Sequence, residues 1–154
     1  MPAWLVRFLA TGLYTGYSPT ISGTVGTIPA LILVWFCFGP GILGPIAITL
    51  VITAVSIWVA GLAELQFGHD SKKIVSDEWA GMCFSVLFLP HTLWTYLVAF
   101  VAFRFFDVIK IWPAAQLEKL PRGWGVTMDD VAAGVQANIL TWIVVLLVLG
   151  PMQA

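Results

Sequence analysis

The chain has 154 residues, 60% hydrophobic and only 10% charged, with a formal net charge of −1 and a mean hydropathy of +0.95. A soluble domain carries about 25% charged residues, so this balance excludes an ordinary soluble enzyme, and the near-zero charge offers no basic face for nucleic acid. The expectation is an all-α, multi-spanning integral membrane protein in one domain, residues 1–154, with about four membrane segments behind an N-terminal interfacial or re-entrant segment.

The first apolar stretch, residues 4–17, would be about 21 Å long as a helix, too short for a hydrocarbon core of about 30 Å, and reads as the interfacial or re-entrant piece. No secretory leader pattern is evident in it. Residues 17–27, YSPTISGTVGT, form a break rich in Ser, Thr and Gly. The run 28–38 becomes long enough to span if its helix starts near Thr24. After the loop FGPGILGP, residues 46–65 form a second span. The polar loop QFGHDSKKIVS leads to a third run, 79–89, which stops at Pro90 and is short for a span. A fourth runs from about Trp94 to Ile111. The last, 131–149, follows the polar loop AAQLEKLPRGWGVTM. Alternating the sides places every charged residue, including all seven Lys and Arg, at one face, provided Arg7 stays there. The positive-inside rule makes that face cytoplasmic. The eight Trp, ten Phe and three Tyr suit a protein with two interfaces to anchor. Cys37 and Cys83 lie in apolar runs without partner spacing and read as inert buried thiols.

Five of the eight carboxylates fall in three clusters at the edges of apolar runs: Asp77-Glu78, Asp107 and Asp129-Asp130. Asp77-Glu78 and Asp129-Asp130 each open a segment, where negative charge opposes the helix dipole with no further role required. Asp107 lies near a helix C-terminus, where that explanation fails. Arg104 and Lys110 flank it at i−3 and i+3, which also permits a plain intrahelical ion-pair ladder. The shared face of all three clusters points instead to a joint site. Carboxylates without cysteine or paired histidine favour Mg²⁺, Mn²⁺ or Ca²⁺ over zinc. Ser18, Pro19, Ser22, Gly23, Thr24 and Gly26 precede a helix start. They read as a capped helix entry or, beside a metal, as an anion cradle for phosphate. Arg104, Lys110 and Arg122 are candidate cationic clamps. His91 falls in a far-side turn and reads as structural. His69, beside Asp70, reads as a solvated loop residue with a supporting role beside the acids left open.

Four blocks, SPTISGTVGT (18–27), IVSDEWAGM (74–82), FRFFDVIKIWP (103–113) and RGWGVTMDDVAAG (122–134), resemble in order and spacing the bacterial phosphatidylglycerophosphatase A (PgpA) family. Asp70 also matches an acid the family often carries. The chain departs at Ile111, where the family usually has proline, and at Arg122, where it usually has glycine; Arg122 therefore ranks below Arg104 and Lys110. The resemblance implies a Mg²⁺-dependent phosphatase of the bacterial cytoplasmic (inner) membrane that converts phosphatidylglycerophosphate to phosphatidylglycerol. It implies Asp77, Glu78, Asp107, Asp129 and Asp130 as metal-binding and catalytic acids, with Arg104 and Lys110 as phosphate-binding cations. Ser18, Ser22, Gly23, Thr24 and Gly26 would line the phosphate. Attack by water, with a carboxylate as base, and a covalent aspartyl-phosphate both remain open. A cation transporter would place its polar residues near the bilayer midplane, whereas these gather at one edge. The DG…AR…G…D…D pattern of CDP-alcohol phosphatidyltransferases is missing, as are the SGH and SR blocks of type 2 phosphatidate phosphatases.

Overall fold

The computed structural model describes residues 1–68 and 71–149. Among them are helices α1 (Ala3–Ala10), α2 (Ser22–Cys37), α3 (Leu43–Phe67), α4 (Ser76–Val86), α5 (Leu93–Ile109), α6 (Ala114–Leu117) and α7 (Gly123–Leu149), a 3₁₀ turn at Thr15–Tyr17, and no strand. The all-α expectation holds.

The segment count needs correction. Among the described residues only α3 and α7, with 25 and 27 residues, are long and apolar enough to cross a bilayer, against the four expected. At 1.5 Å per residue, α2 reaches about 24 Å, α5 about 25 Å and α4 about 16 Å, all below a core of about 30 Å. The causes are local. Gly39-Pro40 follows α2 closely. The chain turns extended at Leu87, takes a left-handed φ of +64° at Phe88 and reaches Pro90. Thr92 then caps α5, its hydroxyl accepting from Thr95 N at 3.2 Å. α7 starts eight residues before the expected 131, so Asp129-Asp130 lies in its second turn and does not open it.

The short α4 sits at the centre, packed against α2, α3, α5 and α7. Small residues set the spacing. A Cβ on Gly134 of α7 would strike the Gly81 carbonyl and come within 3.1 Å of Phe84 Cβ. A Cβ on Gly81 would meet the Phe103 ring and the Asp130 carbonyl at 2.8 Å. Backbones approach this closely only where side chains are absent. Phe103, Met82, Ala99, Ala133 and Ala137 fill the remaining core. Gly134→Val is therefore expected to lower stability by about 1–3 kcal/mol through overpacking, read as a lower thermal midpoint in detergent; an unchanged midpoint would mean that α4 and α7 are not in such close contact.

The outer surface is apolar. Only 33% of the most hydrophobic window of α3 and 28% of that of α7 is buried. Leu50, Val51, Trp58, Ile139, Ile143 and Leu146 all point outward, whereas the central helix of a soluble protein would be covered.

Candidate active site

The first turns of α2 and α4, the last turns of α5 and the second turn of α7 bring the acids together. Arg104 is the hub. Its Nη1 lies 2.9 Å from Asp107 Oδ2 and 3.4 Å from Glu78 Oε1, and donates to Thr27 Oγ1 at 3.4 Å. The Thr27 hydroxyl is 2.8 Å from the Gly23 carbonyl and 3.3 Å from Glu78 Oε2. One guanidinium thus ties α5 to α2 and α4. Lys110, which ends α5 in a left-handed conformation (φ +48°), donates to Asp129 Oδ2 at 2.8 Å and to Glu118 Oε1 at 2.6 Å. Burial pulls the Lys110 ammonium towards deprotonation, but its two carboxylate partners outweigh this and the net direction is up, so it stays cationic. Only half of the intrahelical ladder forms: Arg104 pairs with Asp107, while Lys110 turns away to α7.

The acids interact with one another as well. Asp77 feels the charges of Glu78, Asp107 and Asp129. Asp130 feels Asp77, Asp107 and Asp129, and its side chain is within hydrogen-bonding reach of Asp107. Among the described residues these five carboxylates, with Glu118 as a sixth on Lys110, thus face two cations. Asp77 Oδ1 and Asp130 Oδ2 are buried without a hydrogen-bond partner, as is Arg104 Nε. A buried carboxylate oxygen left unpaired is costly. The donor set is hard oxygen throughout, so it fits a divalent cation such as Mg²⁺. Among the described residues, no three His, Cys, Asp or Glu side chains are already gathered as a ligand group; Glu78, Asp107 and Asp129 are turned onto Arg104 and Lys110 instead.

The SPTISGTVGT block divides. A Cβ on Gly23 would collide with the Glu78 carboxylate and lie 2.5 Å from Arg104 Nη2, and one on Gly26 would lie 2.7 Å from Glu78 Oε2. These glycines admit the Glu78–Arg104 pair to the side of α2. Ser22 Oγ donates to the Lys72 carbonyl at 2.8 Å, fixing the loop before α4. Thr24 lies half-buried in the same first turn of α2. No side chain caps α2, which leaves its first N–H groups available. Ser18 directs its hydroxyl to Thr20 O at 2.7 Å within its own turn.

Other expected positions fall elsewhere. Arg122 is exposed and lines a groove with Trp58, Glu64 and Trp124, so it is no clamp of this cluster. His91 Nε2 lies 2.9 Å from the Trp35 carbonyl, with its ring against Trp35 and Tyr96, a structural role. Cys83 is buried but Cys37 is exposed, and both are free thiols; the expectation of two buried thiols fails for Cys37. His69 and Asp70 lie outside the described residues. Sequence reading missed Thr27 and Glu118. Thr27 follows Gly23 by one helical turn, a spacing that was available; Glu118 carried no local signal, since only the fold brings it to Lys110.

The sequence profile of the family described as phosphatidylglycerophosphatase A matches residues 8–145. The chain belongs to that family. All four sequence blocks lie inside the match, and membership makes the protein an enzyme, a phosphatase acting on a phosphomonoester. It is 35% identical over 143 residues to "Phosphatidylglycerophosphatase A" of Escherichia coli K12, covering 89% of this chain and 82% of that protein. The namesake in Haemophilus influenzae is 32% identical over 144 residues, covering 89% and 86%. A protein of Bacteroides thetaiotaomicron named "Putative phosphatidylinositol-3-phosphatase" is 33% identical over 148 residues, covering 90% and 92%. No solved structure matches.

Proposed function

We propose that the protein is a Mg²⁺-dependent, multi-pass phosphatase of the bacterial cytoplasmic membrane. It removes the terminal phosphate of phosphatidylglycerophosphate at the cytoplasmic interface, giving phosphatidylglycerol and inorganic phosphate. The observation that carries this reading is the meeting of five carboxylates, two cations and unpartnered Asp77 Oδ1, Asp130 Oδ2 and Arg104 Nε at one end of an apolar bundle. The uncovered apolar faces of α3 and α7 and the gathering of charge at one end support the bilayer placement.

Asp77, Glu78, Asp107, Asp129 and Asp130 are the residues that would hold Mg²⁺. When bound, the ion supplies neutralisation of the phosphate's charge. Arg104 presents its fork, and Lys110 a point charge, to the phosphate oxygens. The open N-terminus of α2, from Ser22 to Thr24, adds N–H groups and a favourable dipole. A carboxylate not engaged in binding takes the proton of the attacking water. The acyl chains stay in the apolar layer while the headgroup meets water at the charged end.

The test is phosphate release by purified protein in detergent, with and without Mg²⁺, from phosphatidylglycerophosphate and from phosphatidylinositol 3-phosphate. The second substrate is included because a relative carries that name. Release from phosphatidylglycerophosphate that needs Mg²⁺ and stops with chelator is expected. Release only from the inositol lipid would move the substrate assignment, and undiminished release in chelator would remove the metal.

A further inference from the structure

Beside the acids runs a groove of about 190 Å³ between the turn after α1 and helices α2, α3 and α4. Its α3 wall is the stripe Val51, Val55 and Val59, one residue per turn, which covers about 12 Å of helix. Val51 and Val55 are 62% and 42% exposed, and Val59 is fully buried. The groove therefore opens sideways through the apolar surface and closes towards the C-terminal half of α3. Its lining is almost wholly hydrocarbon, with three polar side chains at its edge, of which Ser56 already pairs with the Thr127 hydroxyl at 3.0 Å. Ser76 Oγ and Trp79 Nε1 both border it, and both are buried without a hydrogen-bond partner. They are three residues apart on one face of α4, and Ser76, 8% exposed, adjoins Asp77 of the acid cluster.

An apolar slot entered from the side, with unused donors next to the phosphate site, matches an esterified fatty chain. The hydrocarbon fills the slot, and an ester carbonyl accepts from the donors that otherwise go unpaired. A water-soluble phosphomonoester has no use for either feature. We infer that this groove holds one acyl chain of the phospholipid substrate, and that Ser76 Oγ and Trp79 Nε1 position its ester while the phosphate lies at the acids. This rests on the reading of the protein as a lipid phosphatase.

Two measurements test it. In the first, kcat/KM is compared for long-chain and dibutanoyl phosphatidylglycerophosphate in the wild type, Val51→Trp and Val55→Trp. Filling the slot should lower the long-to-short ratio about tenfold, the equivalent of roughly two buried methylenes. An unchanged ratio in both variants overturns the inference. In the second, long-chain phosphatidylglycerophosphate carrying a mid-chain diazirine is photolysed on the wild-type protein and the labelled residues are mapped. Label at Leu33 and between 51 and 59 is expected; label confined to the outer faces of α5 and α7 overturns it. If the wild type hydrolyses neither lipid, the phosphatase reading falls on that result, while the label still decides whether an acyl chain occupies the groove.

Discussion

Asp130→Asn is expected to lower phosphate release in Mg²⁺ about 10³-fold, the upper range for losing one preorganised electrostatic group, while the metal-free protein should melt no lower than the wild type. The two halves have one cause. Asp130 is 3% exposed, surrounded by Asp77, Asp107 and Asp129, with Oδ2 unpartnered. In the folded protein without metal, its charge is a burden. Asparagine keeps the shape and removes the charge, so packing survives and repulsion falls. Function loses what the charge was there to hold. This is the stability–function opposition expected where an active site carries strain. A further readout separates metal binding from a general defect. A ligand that binds only the folded state raises its melting temperature, so Mg²⁺ should raise the midpoint of the wild type and leave that of Asp130→Asn nearly unmoved. Full activity in Asp130→Asn would remove the residue from the site, whatever the melting curve shows. Asp129→Asn is expected to abolish activity nearly as well, but it weakens the hydrogen bond from Lys110 at 2.8 Å and should lose stability too.

Why the acids were visible before the fold, and their partners were not, follows from physics. Charge inside an apolar sequence is costly, so each carboxylate stands out against its neighbours. Alternation of sides then brought Asp77-Glu78, Asp107 and Asp129-Asp130 to one end. In the structure Arg104 joins Glu78 to Asp107 and Lys110 reaches Asp129, whereas α2, α4 and α5 are too short for the crossings that the alternation assumed. The number of full-length spans was not legible, because hydropathy counts apolar residues and helix length is decided by breaks. Gly39-Pro40 and the turn at Leu87–Phe88 shorten α2 and α4 without changing their composition. The start of α7 was misplaced for a related reason. RGWGVTM reads as a loop, since glycine weakens a helix by about 1 kcal/mol, yet tertiary contact outweighs it: a Cβ at Gly123 would collide with the Ile57 carbonyl and lie 2.6 Å from Gly61 N. The glycines of the α2 entry were legible as glycines but not as seats for Glu78 and Arg104, which only the crossing of α2, α4 and α5 reveals.

Arg104→Ala should cost about 3–5 kcal/mol of stability, because it strands the buried Glu78 carboxylate without its cation. The two side chains are only 17% and 10% exposed, so solvent does little to replace the lost partner. Activity should fall about 10²–10³-fold, a typical loss on removing a charge-stabilising donor. Alone, this variant cannot separate a role in folding from a role in chemistry. The double variant Arg104→Ala/Glu78→Gln does so. With the stranded charge removed, most of the lost stability should return in detergent denaturation. If Arg104 grips phosphate, activity stays at the level of Arg104→Ala. If Arg104 only neutralises Glu78, activity returns with stability, and the phosphate clamp then rests on Lys110 and the α2 N-terminus alone. Arg104→Lys supplies the third corner of the argument. It keeps the charge but loses the planar guanidinium, whose Nη1 alone meets Asp107, Glu78 and Thr27 while the rest of the fork stays open to phosphate. A lysine can satisfy one or two of these, so stability should fall less than in Arg104→Ala. If the planar geometry is what the phosphate requires, activity should remain well below the wild type even where the fold is restored.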